Sequence, residues 1–497
     1  MNMTLKAMKV QQLSDELGVA FGTSGVRGLV KDLTPALCFA FVRSFLQTVC
    51  HTANRVAIGI DLRPSSPDIA KACILAAEPY GVEVVYCGDL PTPALAFYAM
   101  QNSMPAVMIT GSHIPFDRNG IKFYRPDGEI SKMDEAAILE GNVEIPESIA
   151  DQVAYFTLPK INTSAMALFK QRYTTLFPRN MLQGKRVGVY EHSSVARDVI
   201  KDLLVHFGAE VVSLERTDTF VPIDTEAVSQ EDVQKGLNWA KDYSLDAIVS
   251  TDGDGDRPLI ANEKGEWLRG DILGVLCADY LQATHVAAPV NVNSVLELEG
   301  QKLQPARVSV RTKIGSPYVI EGMEKLAKSN KSSSIVGYEA NGGFLVGSDI
   351  LLNQQMLKTL PTRDSILPAL IVFALSHEEG KPISCLSENF EARYTASDRI
   401  ENIATKVSLA FIKSLKSDTA MQDSLLSHID SNTRGLHINA IDEIDGLRIF
   451  LSNNDVVHFR ASGNAPEIRV YIETNSAELA YKKLSVAYFW LKEVLSD

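Results

Sequence analysis

The sequence predicts an α/β protein of three similar units followed by a last unit of α+β kind. Three observations carry this. Short β-branched apolar runs recur along most of the chain, separated by helix-length stretches. The motifs rich in Gly, Ser and Asp follow such runs directly, where an α/β sheet presents its loops. Near the C-terminus three strand-like runs come close together and are followed by one long helical stretch.

Val56–Ile60 is an apolar run that predicts a buried strand, with a helix from Pro67 to Glu78. Val82–Tyr86 is a second strand, Ala94–Met100 a short helix, and Ala106–Ile109 a third strand. This order implies a mostly parallel, covered sheet. Arg186–Tyr190 opens a second unit that closes with Ala247–Val249. His285–Val290, Val308–Val310 and Ser334–Val336 make a third. The segment from Glu378 through Pro382 to Ser387 reads as a linker. Beyond it, Gly446–Leu451, Val456–Arg460 and Ile468–Glu473 predict antiparallel strands, and Ala477–Leu495 a helix. The three units share a plan but show no sequence repeat that would prove duplication.

Composition narrows the function classes. The 497 residues are 45% apolar and 22% charged, ordinary for a globular protein of about three or four domains. A net charge of −13 leaves no basic stripe, so no nucleic-acid partner is expected. The longest apolar stretches, such as Ile366–Leu375, are too short to span a bilayer, and the N-terminus lacks a signal peptide's apolar core. The six cysteines are scattered without metal-type spacing and read as reduced core residues. A cytoplasmic protein without a membrane partner is expected.

Asp252-Gly253-Asp254-Gly255-Asp256-Arg257 puts three carboxylates within five residues. Unpaired they would repel. The glycines let the backbone curl so that they converge, which suits a hard divalent cation with coordination positions left for a phosphate oxygen. An EF-hand loop is the sharper rival, since Asp252, Asp254, Asp256 and Glu263 fit four of its positions. Arg257 stands where that loop needs glycine, and a strand pattern precedes it rather than a helix.

Three further loops carry candidate chemistry. Thr110-Gly111-Ser112-His113-Ile114-Pro115 follows a strand, and Ser112 there is either a nucleophile or a turn residue. Beside a metal-binding loop, a nucleophilic serine points to phosphoryl transfer. Phe21–Gly28 either cradles phosphate with Arg27 or is a plain tight turn. Arg460–Arg469 offers Arg, Ser, Gly and Asn between two strands, either an anion-binding nest or a polar hairpin loop.

Together these pieces resemble the α-D-phosphohexomutases, the family of phosphoglucomutase, phosphomannomutase and phosphoglucosamine mutase. Phe21–Gly28 is similar to the family's N-terminal arginine loop, Thr110–Pro115 to its phosphoserine loop and Asp252–Arg257 to its metal loop. Gly337–Phe344 falls where its sugar-recognition loop stands, and Arg460–Arg469 resembles its phosphate-binding loop. Ile114 replaces a usual Asn, Asn341 a usual Ser, and Gly343 a usual His.

The resemblance implies four domains round a central cleft. They are 1–160 with the phosphoserine loop, 161–266 with the metal loop, 267–386 with the sugar loop and 387–497 with the phosphate-binding loop. It implies a phosphorylated Ser112 and one Mg²⁺ held by Ser112, Asp252, Asp254 and Asp256. Lys122, Arg27, Arg257 and His113 are the implied catalytic partners. Glu339 and Asn341 would read ring hydroxyls, while Arg460, Ser462, Gly463, Asn464 and Arg469 would hold the distal phosphate. The implied reaction interconverts a hexose 1-phosphate and a hexose 6-phosphate, with a hexose 1,6-bisphosphate as intermediate and activator. Mannose is the expected sugar, from the likeness of Glu339–Phe344 to bacterial phosphomannomutase loops, and glucose is the second. Phosphoglucosamine mutase and a catalytically silent sugar-phosphate binder are the alternatives. A monomer or homodimer is expected.

Overall fold

The computed structural model describes residues 4–22, 24–329, 333–388, 390, 392–430, 435–462 and 466–495. It forms two compact units. One comprises Met1–Ala283 with Met323–Glu388, the other Thr284–Gly322 with Asn389–Asp497.

In the first unit, the leading sheet has the order Ala20–Phe21, Val26–Leu29, Arg118–Arg125, Ala106–Ile109, Arg55–Ile60, Glu83–Asp89. Arg55–Ile60 runs parallel to both its neighbours, while Arg118–Arg125 returns antiparallel to Ala106–Ile109. Helix Pro35–Thr48 packs on it. That helix starts cleanly because Thr34 accepts from Leu37 N at 3.3 Å and Pro35 has the right fixed φ for a first helical residue. Its Phe41 and Phe45 join Val56, Ile58, Val107, Ile121 and Phe123 in one apolar core. A second sheet has the order Glu210–Leu214, Arg186–Tyr190, Ala247–Thr251, Pro258–Ala261, the first three parallel and the last antiparallel. Ile335–Tyr338, Phe344–Val346 and Leu360–Asp364 form an antiparallel set in the same unit.

The second unit holds the parallel pair His285–Pro289 and Val308–Thr312. It also holds a five-stranded antiparallel sheet in the order Tyr394–Glu401, Glu467–Thr474, Val456–Ala461, Leu447–Leu451, Ile438–Asp442. Helices Thr405–Ser417, Thr419–Ile429 and Ala477–Val494 belong to it. Ile449, Phe459, Val470, Trp490 and Leu491 make its core, with the Phe411, Phe459 and Trp490 rings in mutual contact. The antiparallel sheet and its helices have the expected α+β pattern, while the compact unit also takes in Thr284–Gly322, which the sequence reading puts in the third α/β unit. Among the described residues no helix is long and apolar enough to cross a membrane.

Three features differ from the sequence reading. Arg118–Arg125 is a strand with no counterpart among the expected elements. It is buried on both faces, so the usual alternation of apolar and polar residues is absent. Tyr394–Glu401 and Ile438–Asp442 are edge strands of the last sheet, largely exposed, and so lack an apolar run. The segment read as a linker is exposed through Pro382 and packed from Ile383 on. Helix Ile366–Glu379 ends at left-handed Gly380, then a single 3₁₀ turn covers Ile383–Cys385. Ile383 and Leu386 are buried, and Ser384 donates from N and from Oγ to the Glu263 carboxylate.

Candidate active site

Ser112 lies just beyond the carboxyl end of strand Ala106–Ile109, at a positive φ of 52° and only 1% exposed. A non-glycine residue held there is strained and needs surrounding support. Arg63 supplies it. Its Nη1 donates to the carbonyls of Pro115 and Arg118, and its Nη2 to those of Ser112 and Ile114, at 2.6–2.9 Å. Its Nε faces Asp61 at 3.3 Å. A Cβ at position 111 would stand 2.5 Å from Arg63 Cζ, so Gly111 is required by this guanidinium.

The aspartate loop begins where strand Ala247–Thr251 ends. It folds on itself: Asp252 Oδ1 accepts from the N–H groups of Asp256 and Arg257, each at 3.1 Å. Gly255 makes the turn at φ 69°, as only glycine does freely. All three aspartates are fully buried, and one carboxylate oxygen from each lies within 4.8 Å of the others. Ser112 Oγ donates to Asp252 Oδ2 at 2.7 Å, so the serine and aspartate loops meet.

Cations surround this cluster. Lys122 Nζ donates to Asp254 Oδ2 at 2.6 Å and to Asp256 Oδ2 at 2.8 Å. Burial alone would lower the Lys122 pKa, but the two carboxylates outweigh it and raise it. Lys122 is therefore a held cation. Arg363, on strand Leu360–Asp364, donates to the same Asp256 oxygen from Nε and Nη2. Asp256 is accordingly held well below the usual carboxylate range: burial opposes this, and Arg363, Lys122 and Arg257 outweigh burial. Asp252 is pushed well above it, by burial first and by Asp254 and Asp256 next. Arg257 Nη1 lies 3.1 Å from His113 Nδ1, which must accept, since a guanidinium only donates. Arg257, burial and Arg27 bring the His113 pKa down to about 2, so the ring is neutral. Arg27 is lowered to about 10 by burial and by the neighbouring Arg257 and Arg363, and stays charged.

Two observations test whether this cluster suits a metal. Asp254 Oδ1 and Asp256 Oδ1 are buried and take no hydrogen bond among the described residues. Lys122 engages the other oxygen of each and Arg363 that of Asp256, while Arg257 Nε stands 3.7 Å from Asp256 Oδ1, beyond hydrogen-bond distance. Orphaned buried carboxylate oxygens, beside Asp252 Oδ2 and Ser112 Oγ, make an all-oxygen donor set of the kind hard divalent cations take. The residues present fit a metal ion.

The sugar-loop candidates join this site through Arg363. Its Nη1 lies 3.2 Å from Glu339 Oε2. Asn341 turns its Oδ1 back to Gly343 N at 2.9 Å, and its carbonyl accepts from Thr225 Oγ1 at 2.7 Å. In the second unit, Arg460 and Arg469 face each other across strands Val456–Ala461 and Glu467–Thr474. Arg460 Nε donates to Asp445 at 2.8 Å, Arg469 is paired with Glu467, and Ser462 N donates to Glu467 O at 3.0 Å. Gly463 and Asn464 lie outside the described residues.

Sequence reasoning missed Arg63, Thr92 and Arg363. Thr92 Oγ1 donates to Asp254 Oδ2 at 2.6 Å. Asp61-x-Arg63 follows strand Arg55–Ile60 at the sheet's carboxyl edge, a position that could have drawn attention. Arg363 carries no such signal, being an arginine inside a short strand rather than in a loop at a strand's carboxyl end.

A buried serine on a three-aspartate loop, at the carboxyl ends of α/β strands, defines a metal-assisted phosphoryl-transfer enzyme. Models of the phosphoglucomutase/phosphomannomutase alpha/beta/alpha domains I, II and III match residues 18–147, 170–265 and 269–394. The chain is 50% identical to a phosphomannomutase of Salmonella muenchen over 463 residues, 93% of each chain. It is 39% identical to a phosphomannomutase of Sinorhizobium fredii, over 93% of this chain and 97% of the other. The crystal structure of a phosphoglucomutase/phosphomannomutase family protein from Burkholderia thailandensis shares the fold, with a TM-score of 0.70 at 18% identity over 95% of this chain and 97% of that one. The chain belongs to the phosphoglucomutase/phosphomannomutase family. It is a phosphohexomutase, an isomerase of hexose phosphates, with three α/β domains and a C-terminal α+β domain.

Proposed function

We propose that the chain interconverts mannose 1-phosphate and mannose 6-phosphate, with glucose phosphates as second substrates, through a phosphorylated Ser112. The observation that carries this is the buried Ser112 Oγ on Asp252 Oδ2 at 2.7 Å, within a three-carboxylate loop. The phosphomannomutases at 50% and 39% identity support mannose as the sugar.

The phosphoryl group leaves Ser112 Oγ for the free hydroxyl of the sugar, giving a hexose 1,6-bisphosphate. The sugar turns, and its other phosphate returns to Ser112. A Mg²⁺ held by Asp252, Asp254, Asp256 and the phosphorylated Ser112 would neutralise charge on the transferring group. Lys122 is already protonated and fixed on two carboxylates, so it serves as counter-charge and as a proton donor to the departing serine oxygen. Arg27 and Arg257 add positive charge beside Ser112, and neutral His113 accepts a hydrogen bond from Arg257 at Nδ1 and so orients that guanidinium. Glu339 and Asn341 contact ring hydroxyls. The hairpin bearing Arg460, Ser462, Gly463, Asn464 and Arg469 holds the distal phosphate. The division into domains at 160, 266 and 386, a cytoplasmic location and a monomeric or homodimeric state belong to the same reading. The cytoplasmic location is supported by six unpaired cysteines, five of them buried.

A coupled assay across mannose, glucose and glucosamine 1-phosphates tests it. The expected order puts mannose first. Net release of inorganic phosphate without isomerisation would make the protein a phosphatase instead, and turnover of the glucosamine compound alone would overturn the choice of sugar.

A further inference from the structure

Arg363 belongs to none of the sequence motifs, yet it touches two of them. It is 2% exposed, and its guanidinium is used on both edges. Nε and Nη2 lie 3.1 and 2.8 Å from Asp256 Oδ2, and Nη1 lies 3.2 Å from Glu339 Oε2. The fork is planar and rigid, so two carboxylates joined through it share one geometry. Lysine, a point charge on a flexible stem, would not fix both.

The stem of Arg363 also explains an oddity of the sugar loop. A Cβ at Gly343 would stand 2.6 Å from Arg363 Cδ and 2.7 Å from its Cγ. No side chain fits at 343 while Arg363 keeps this conformation. Strand register places them together, since Phe344 pairs with Asp364. Position 343 is where the resembled loop carries histidine. Where the resembled loop carries an imidazole, the stem of Arg363 from the neighbouring strand occupies the space beside Gly343.

We propose, resting on the mutase reading above, that Arg363 is a positioning residue that sets sugar selectivity. It holds Glu339 by Oε2, presents Oε1 to a ring hydroxyl, and registers that contact against Asp256. The side chain missing at 343 and the arginine at 363 are then one exchange. A sugar whose hydroxyl meets a misplaced Glu339 loses a buried hydrogen bond, while its epimer loses less.

The test measures kcat/KM for mannose 1-phosphate and glucose 1-phosphate in wild type, Arg363→Lys and Arg363→Gln. Arg363→Lys keeps the charge beside Asp256 and guards against a variant that does not fold. The expected result is a change in the mannose-to-glucose ratio of about tenfold in either variant. Equal losses for both sugars, with the ratio at its wild-type value, would overturn the proposal and leave Arg363 as a counter-charge for Asp256. A second arm adds Gly343→His to wild type and to Arg363→Ala. The histidine should cripple the wild-type background, where it meets the arginine stem, and restore activity in the alanine background. Equal damage in both would also overturn the proposal. A wild-type enzyme inactive on every hexose phosphate would sink the mutase reading, and this inference with it. Wild-type turnover with an unchanged ratio would sink this inference alone.

Discussion

The surroundings of Ser112 and the Arg460–Arg469 hairpin use the same residue types in opposite ways. Around Ser112 the charges are buried and shared: Lys122 serves two aspartates, and Asp256 serves Lys122 and Arg363. Their side chains are at most 4% exposed. On the hairpin, the Arg460 and Arg469 side chains are 15% and 34% exposed, each held by a local acid, Asp445 or Glu467. In a low-dielectric site a fixed set of charges stabilises a developing charge without reorganising. A partly exposed guanidinium can release and regrip a ligand, but is worth less per contact. The first region is suited to rate, the second to holding.

The largest expected effect is at Ser112. Ser112→Ala should lower kcat by at least about a thousandfold, because it removes the hydroxyl on Asp252 Oδ2 that would carry the phosphoryl group. Intact mass should show one phosphate-sized addition on wild type and none on the variant. A variant of near wild-type activity would move the chemistry away from the buried region.

Asp254→Asn keeps shape and removes one charge from a site where Lys122 and Thr92 both rely on that side chain. A loss of about a hundredfold in kcat is expected, the scale for weakening charge stabilisation at a reacting phosphoryl group. Chelator titration should show weaker retention of the metal by the folded variant. Full turnover of chelator-treated wild type would contradict the metal reading of the orphaned carboxylate oxygens.

How much of this was legible in the sequence follows the same divide. Asp252, Asp254, Asp256 and Ser112 are contiguous motifs at strand ends, where local pattern and chemistry agree. The strand runs at 106–109 and 186–190 were equally plain, because buried parallel strands are continuous apolar stretches. Arg63 and Arg363 were not legible. Each acts over a long sequence separation, on residues 112–118 and on 256 and 339, and one isolated arginine has no local signature. The edge strands of the last sheet were hidden because exposure frees them from any apolar pattern.

A pH experiment asks where the two units behave alike. Each contains a buried histidine whose pKa is lowered to about 4, chiefly by burial. His192 Nε2 donates to Thr251 O at 2.9 Å, and His458 Nε2 to Asp445 O at 2.6 Å. In both, Nδ1 is buried without a partner among the described residues, so a second proton has nowhere to bond. Unfolded histidine titrates near pH 6.5. The folded value is depressed, so the stability contribution is full above about pH 6.5 and is lost as pH falls towards 4. From pH 7 to pH 5 each histidine should remove about 2 kcal/mol. Denaturant unfolding of wild type and of His458→Asn at both pH values checks this. An equal acid loss in the two proteins would exclude His458 as a cause.

The smallest effect is expected at Arg460, and it decides the comparison. Asp445 is itself partly exposed and keeps the Ile314 N–H at 2.9 Å, so removing Arg460 leaves no buried orphan charge. Arg460→Ala should therefore fold as wild type does. If the hairpin only holds phosphate, it contributes equally to bound substrate and transition state. KM then rises about tenfold, the scale of one charge-assisted hydrogen bond, while kcat stays close to wild type. Under the proposed reaction the same hairpin would accept either phosphate of the bisphosphate in turn, and too tight a grip would slow that exchange. A fall in kcat as large as the rise in KM would mean that Arg460 works in the transition state, and the distinction between a region for rate and a region for holding would fail. An unchanged KM would remove the hairpin from the substrate altogether.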